Sequence, residues 1–223
     1  MNGGQDKMLK SKKHVFWEAL LITIVVFLAG LFLGMLIEAA NSAKISSLYL
    51  QSEISLTDAS ATARLAEDIS LDCEVIKEQN IIVADRIYEE AKLLELYEDS
   101  GKLTDSMKLL HKKYDLLRTF LWMTNDKSLE RCDNYNLAVY LYEYGSEDTE
   151  IKATQNVWSK ILLDIRKQSA DFMLLPIAAN QNLTSLEFLK QKHEVTQLPA
   201  LVINNDKVLY ELENVDSILD LLN

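Results

Sequence analysis

From Ala19 to Ile37 the chain reads ALLITIVVFLAGLFLGMLI, with no charged side chain and no proline. A backbone inside hydrocarbon must satisfy its own N–H and C=O groups, so a run of this kind crosses a bilayer only as a helix. At about 1.5 Å of rise per residue it is long enough for a hydrocarbon core of about 30 Å. Lys7, Lys10, Lys12 and Lys13 precede the run, Phe16 and Trp17 stand at the expected interface, and Glu18 and Glu38 bracket it. Positive charge stays on the cytoplasmic side of a single-pass protein. The expected arrangement is therefore a cytoplasmic tail over 1–14, a transmembrane anchor over 15–40, and everything later outside. The competing reading is a cleaved signal peptide, for which Ala40-Asn41-Ser42 supplies a small-x-small site. The apolar core exceeds the usual signal-peptide core of about 7–15 residues, which favours a retained anchor.

Within the run, Gly30 and Gly34 fall on one helix face with Ala29 beside them. Small residues four apart let two helix backbones approach closely in lipid. This spacing makes a second copy of the chain a candidate partner inside the bilayer, alongside the lipid itself.

The formal charge is −11. The N-terminal segment is close to balanced, so the acidic excess lies beyond residue 40. An acidic body without a basic, aromatic-studded stripe repels phosphate backbones, and nucleic acid is not an expected partner. With 6 Gly and 2 Pro, long flexible linkers are not expected and helix should dominate.

From Asn41 to about Cys132 the apolar spacing is helical. Leu65, Ile69, Val75, Ile76, Ile82, Val83, Ile87 and Leu94 recur at intervals near three and four, separated by Glu and Lys. Ser100-Gly101 is the expected stop of this helix, and Thr104 or Asp105 the cap of the next. That second helix carries Met107, Leu110, Tyr114, Leu117, Phe120 and Leu121, with Asn125-Asp126 expected to end or bend it. Two helices joined by a short glycine-containing connection fold back as an antiparallel hairpin or stalk over 41–132. Cys73 and Cys132, the only two cysteines, each lie about 30 residues from Gly101, so equal arms bring them to one height. An oxidising compartment outside the membrane permits a disulfide between them. The alternative is two separate buried thiols packed as small apolar residues.

After Cys132 the texture changes. Leu137–Tyr142 reads as a buried strand and Ile151–Lys167, with Val157, Trp158, Ile161, Leu162 and Ile165, as an amphipathic helix. Phe172–Ala178 is a second strand in which Pro176 implies a bulge, and Leu183–His193 a second helix. Pro199 then opens a short apolar run, Asn204-Asn205-Asp206 makes a turn, Val208–Leu212 returns, and Val215–Leu222 closes as helix. The order over 133–223 is β-α-β-α-β-β-α, so the fold class is α+β/α/β, with a parallel crossover pair and an antiparallel hairpin.

This order, together with Leu198-Pro199 at the head of the hairpin, resembles the thioredoxin-like family. The resemblance implies a cis proline beside the first helix's N-terminus and a surface there that holds extended polypeptide. It also implies cysteines where the first strand meets the first helix, but Tyr144-Gly145-Ser146-Glu147-Asp148-Thr149 contains none. Disulfide exchange requires a thiolate, which hydroxyls and carboxylates cannot replace. Ser146 and Thr149 are expected as helix caps, with Glu147 and Asp148 suited to the positive end of the helix dipole.

The resulting expectation is a membrane-anchored, extracytoplasmic, non-catalytic protein-binding or scaffold module. Its partner would be an extracytoplasmic protein or membrane-complex subunit, held near Leu198, Pro199 and Ser146. The alternative is a thiol–disulfide oxidoreductase using Cys73 and Cys132 as a dispersed pair. No catalytic residue, metal ligand or cofactor motif stands out, since His14, His111 and His193 are widely separated and no phosphate loop or nucleophile elbow occurs. Asn182-Leu183-Thr184 is an N-glycosylation sequon on the outer side of this arrangement.

The lysine cluster generates the first prediction. Protease added outside intact cells or spheroplasts should digest the C-terminal region, whereas full protection would reverse the orientation.

Overall fold

The computed structural model describes residues 3–68, 72–98, 105–129, 132, 136–169, 171–211 and 214–222. It is a mixed α/β structure with a long apolar N-terminal helix and a small four-stranded sheet. The chain divides into two units, Met1–Ser47 and Leu48–Asn223.

The first unit is the opening part of helix α1, which runs Gly3–Asp68. Its side chains from His14 to Ala40 are exposed, apolar ones included. By length and composition this helix can cross a membrane. The side chains of the lysine cluster lie outside the described residues.

The second unit begins with the rest of α1, whose Leu48, Ser52, Ser55 and Ala59 are buried at helical spacing. Helices α2 (Cys73–Glu98) and α3 (Asp105–Leu129) follow. Their cross-links run in step: Cys73 with Cys132 beyond α3, Asn80 with Asn125, and Glu90 with Tyr114. Partners that advance along α2 while retreating along α3 define an antiparallel pair. Cys73 and Cys132 are bonded, with Cα atoms 5.6 Å apart.

Several expectations for this region are corrected. Leu65 is not on the hairpin's first helix but on α1, and is 54% exposed. Val75 and Ile82 are exposed at 42% and 43%, because the buried arc of α2 runs through Ile76, Val83, Ile87 and Leu94 instead. Asn125-Asp126 neither ends nor bends α3, which continues to Leu129. The Asn125 amide donates to the Leu121 carbonyl and accepts from Asn80, so its polar atoms are satisfied within the helix pair. Ile69, the Ser100-Gly101 stop and Thr104 lie outside the described residues, and Asp105, the alternative cap, is instead the first residue of α3.

Strands β1 (Asn136–Tyr142), β2 (Phe172–Ala178), β3 (Ala200–Ile203) and β4 (Lys207–Leu209) form one sheet in the order β2-β1-β3-β4. β1 is parallel to β2 and antiparallel to β3, which is antiparallel to β4. Alternation sends Ala138, Tyr140, Leu174, Leu201 and Ile203 toward α4 (Thr149–Gln168) and α6 (Val215–Leu222), where Trp158, Leu162, Ile165 and Ile218 meet them. The alternate residues of β1 and β2, Leu137 and Met173 among them, are buried on the side of α3, where Asn125 reaches the Met173 sulfur. Helix α5 (Thr184–Lys192) also packs against α3. Pro176 makes no bulge: the β1–β2 register is continuous through Tyr140 opposite Pro176. β2 is an edge strand, where a missing N–H is tolerated. Val157, expected on the apolar face of α4, is 54% exposed. In the β3–β4 connection Asn204 and Asn205 take φ of 49° and 57°, a left-handed pair that suits Asn in tight hairpins.

The disulfide closes a loop with a sequence separation of 59. In the chain-entropy view, a closure of this length stabilises the fold by about 4 kcal/mol. Urea unfolding of the Cys73→Ser/Cys132→Ser variant should show a loss of that order. A loss under about 1 kcal/mol would mean that the cross-link constrains little.

Candidate functional site

Helix α3 is buried over an unusually wide arc, since α2 covers one side and the sheet another. Polar side chains therefore sit where a two-sided core needs internal partners. Asp115 is completely buried. Its Oδ1 accepts from the Ala178 N–H at 3.1 Å and from Arg118 Nη1 at 3.4 Å. Its Oδ2 has no hydrogen-bond partner and lies 3.5 Å from His111 Nε2. Burial pushes the Asp115 carboxyl above the ordinary range, opposed by His111, Arg118 and the Ala178 N–H. His111 is also 3.1 Å from the Tyr142 hydroxyl, and its ring lies 3.9 Å from that of Tyr144. One turn away, Tyr114 donates toward buried Glu90, which also accepts from Gln51 and Ser55 of α1. Burial and then the Glu90 charge push the Tyr114 hydroxyl up.

His111, Tyr114 and Arg118 form part of the wall of a partly open cavity of about 370 Å³, lined by α2, α3, α4, the β2 edge and the end of β1 with the turn that follows it. Leu94, Leu162, Leu174, Pro176 and Tyr140 supply much of its apolar surface. α4 and α2 are tied beside it by Arg166, which donates to Asp85 at 2.6 Å and lies 3.7 Å over the Tyr88 ring. The volume falls within the usual small-molecule range of about 300–1,000 Å³.

At the end of β1, Leu141 pairs with Ala200, which places Pro199 beside the strand's exit toward Gly145 and Ser146. Leu198 and Pro199 are half-buried and the bond between them is cis. The preceding segment is held by Tyr210, whose hydroxyl accepts from the Thr196 N–H and hydroxyl and faces the Glu194 carbonyl at 3.2 Å. Ser146 is buried and is not the cap of α4: Asp148 takes that place, accepting from the Glu150 and Ile151 N–H groups. A carboxylate reaching back to two N-terminal amides also meets the positive end of the helix dipole. Thr149 is the first residue of the helix.

The other sequence-marked residues stand apart. A Cβ on Gly30 or Gly34 would meet nothing within 4 Å. Asn182 is exposed, with φ of 52°, and precedes Leu183 at the N-cap of α5. Both cysteines are used in the bond between them.

The histidines are less isolated than their spacing implies. His193 stacks on Trp122 at 5.1 Å and lies 3.6 Å from Asp126, which also receives Lys192 and the Asn205 amide. Trp122 in turn donates to Asn205, so α3, the end of α5 and the β3–β4 turn meet in one cluster. Among the described residues no group of three His, Cys, Asp or Glu side chains could hold a metal ion. Asp115 and Arg118 are missed by periodicity alone. Their signal is Arg118, a charge four positions after Tyr114 and three before Leu121 on an otherwise apolar stripe, with Asp115 three positions before it.

Burial holds the His193 imidazole below its ordinary value, against Asp126, with Lys192 acting in the same direction as burial. The folded state therefore binds fewer protons than the unfolded chain just below the unfolded value of about 6.5. Stability is full above that pH and falls as pH drops through the window. His193→Phe keeps an aromatic ring on Trp122 and should flatten this acid limb. Urea midpoints at about pH 7.5 and 5.5 measure it, and an unchanged slope would assign the limb to other groups.

No family model, curated protein or solved structure matches this chain.

Proposed function

We propose that the chain is a membrane-anchored, extracytoplasmic, thioredoxin-like module that binds polypeptide and has no thiol chemistry of its own. The β-α-β-α-β-β-α order, the strand order β2-β1-β3-β4 and Leu198-Pro199 at the head of β3 support the thioredoxin-like reading. The observation that carries the functional reading is Ser146. It lies at the junction between β1 and α4, where a redox relative would need a cysteine, and the only two cysteines of the chain are bonded to each other. What remains of such a site is main-chain recognition. An extended segment can pair beside Leu198, adding backbone hydrogen bonds while its side chains select the partner. The apolar helix supports the anchor, and the lysine cluster before it supports the orientation. The Gly30–Gly34 face supports pairing of two copies in the bilayer.

A photocrosslinker placed at Leu198 in native membranes should capture a discrete extracytoplasmic polypeptide. The same group at exposed Lys207, on β4, should not. Equal yields at the two positions would overturn the binding surface at Leu198. Insulin reduction by the purified protein should stay at background. Turnover abolished by Cys73→Ser would instead establish the dispersed-pair oxidoreductase.

A further inference from the structure

We propose that the cavity between α2, α3, α4 and the β2 edge is a binding site for a small organic carboxylate with an apolar or aromatic body. The inference is independent of the polypeptide surface at Leu198. It begins with Arg118, whose side chain is 8% exposed and lines the cavity. A guanidinium keeps its charge at any relevant pH and carries five N–H donors in a planar fork. Asp115 occupies one of them, monodentate at 3.4 Å, against about 2.7–2.9 Å for a well-made charge-assisted bond. Asp115 sits behind the wall rather than in it, and its Oδ1 is shared with the Ala178 N–H. The pair orients the guanidinium from behind without using its bidentate capacity. A ligand carboxylate complements that fork, and the low-dielectric surroundings strengthen the interaction.

The rest of the wall fits the body of such a ligand. Spacings of three and four place His111, Tyr114 and Arg118 on one stripe of α3, so a polar head at Arg118 lies beside aromatic rings. Tyr140, Leu162, Leu174 and Pro176 offer apolar surface across from them. The Tyr140 hydroxyl, pushed up by burial, donates to the Gln155 carbonyl at 3.4 Å, which leaves its ring as apolar surface for the ligand body. A cation suits the site poorly despite its tyrosines, because the deep charge is Arg118 and Arg166 already lies over Tyr88. The acids Glu95 and Glu143 also line the cavity, but one is exposed and the other only half-buried.

The test uses the full chain in lipid nanodiscs, with 3-phenylpropionate, its uncharged amide and 2-phenylethylamine as probes, and binding followed by ligand-observed NMR titration. The carboxylate should bind saturably and at least about tenfold more tightly than the amide, with the amine weakest. Arg118→Gln should erase the preference of acid over amide. Ala91→Trp fills the cavity without altering a charge and should abolish binding of all three, with the thermal melt reporting that the fold is intact. Lys207→Ala should change nothing. Equal affinity for acid and amide, a preference for the amine, binding that survives Ala91→Trp in a folded protein, or no saturable binding would each overturn the proposal.

Discussion

Helix α3 is covered from two directions, and the rest of the second unit is arranged around that fact. A helix packed on one side can turn its polar residues to water. α3 has only a narrow exposed strip, which carries Leu109, Leu116 and Met123, because α2 lies on one flank and the sheet on another, and Asp115, Arg118, Thr119 and Asn125 are all buried. Each must find a partner inside. Asn125 finds Asn80 of α2, Thr119 its own helix at the Asp115 carbonyl, and Asp115 the Ala178 N–H at the end of β2. The Asn80–Asn125 bond registers α2 against α3, and the Asp115–Ala178 bond registers the hairpin against the sheet, more specifically than apolar contact could. A core of Leu and Ile tolerates sliding, whereas a buried carboxylate with a misplaced donor is costly.

The same seam explains why the candidate small-molecule site stands where it does. β2 is an edge strand, and an uncovered edge invites pairing with other chains. Here α2 and α4 close over its flank and are joined by Arg166 to Asp85 and Tyr88. The cavity lies beside this edge, with Tyr88, Tyr114 and Tyr140 among the residues that line it. The disulfide acts at the far end of the α2–α3 pair. It binds the start of α2 to the chain leaving α3 just before β1, so the hairpin and the sheet are coupled through a short covalent path.

Periodicity and turn chemistry are readable wherever one residue pattern has one structural solution. The uncharged run of α1, the strand of Leu137–Tyr142, the Asn204-Asn205 turn and the equal arms of Cys73 and Cys132 are of this kind. The departures share another cause. Val75, Ile82 and Val157 are apolar residues at helical spacing, yet each is exposed, because spacing identifies a stripe without saying which stripe meets a neighbour. Asn125-Asp126 has turn-forming composition, yet it continues α3, since partners from α2 and the β3–β4 turn satisfy its side chains. Ser146 is a capping residue by type, but Asp148 has the position from which a carboxylate reaches two amides.

What the sequence determined by itself was set by local physics: an apolar run long enough for a bilayer, helical and alternating patterns in a definite order, and a strand–helix junction with no thiol. Only the tertiary structure decided which charges are buried and which groups share a space. His111 and Arg118 are separated by two turns of one helix, but their common wall includes Leu174 and Tyr140 from the sheet and Leu162 from α4. Such a juxtaposition depends on how helices and strands pack across long sequence separations. No local pattern encodes it, because the free energy that selects it is gained only when all the elements are in place.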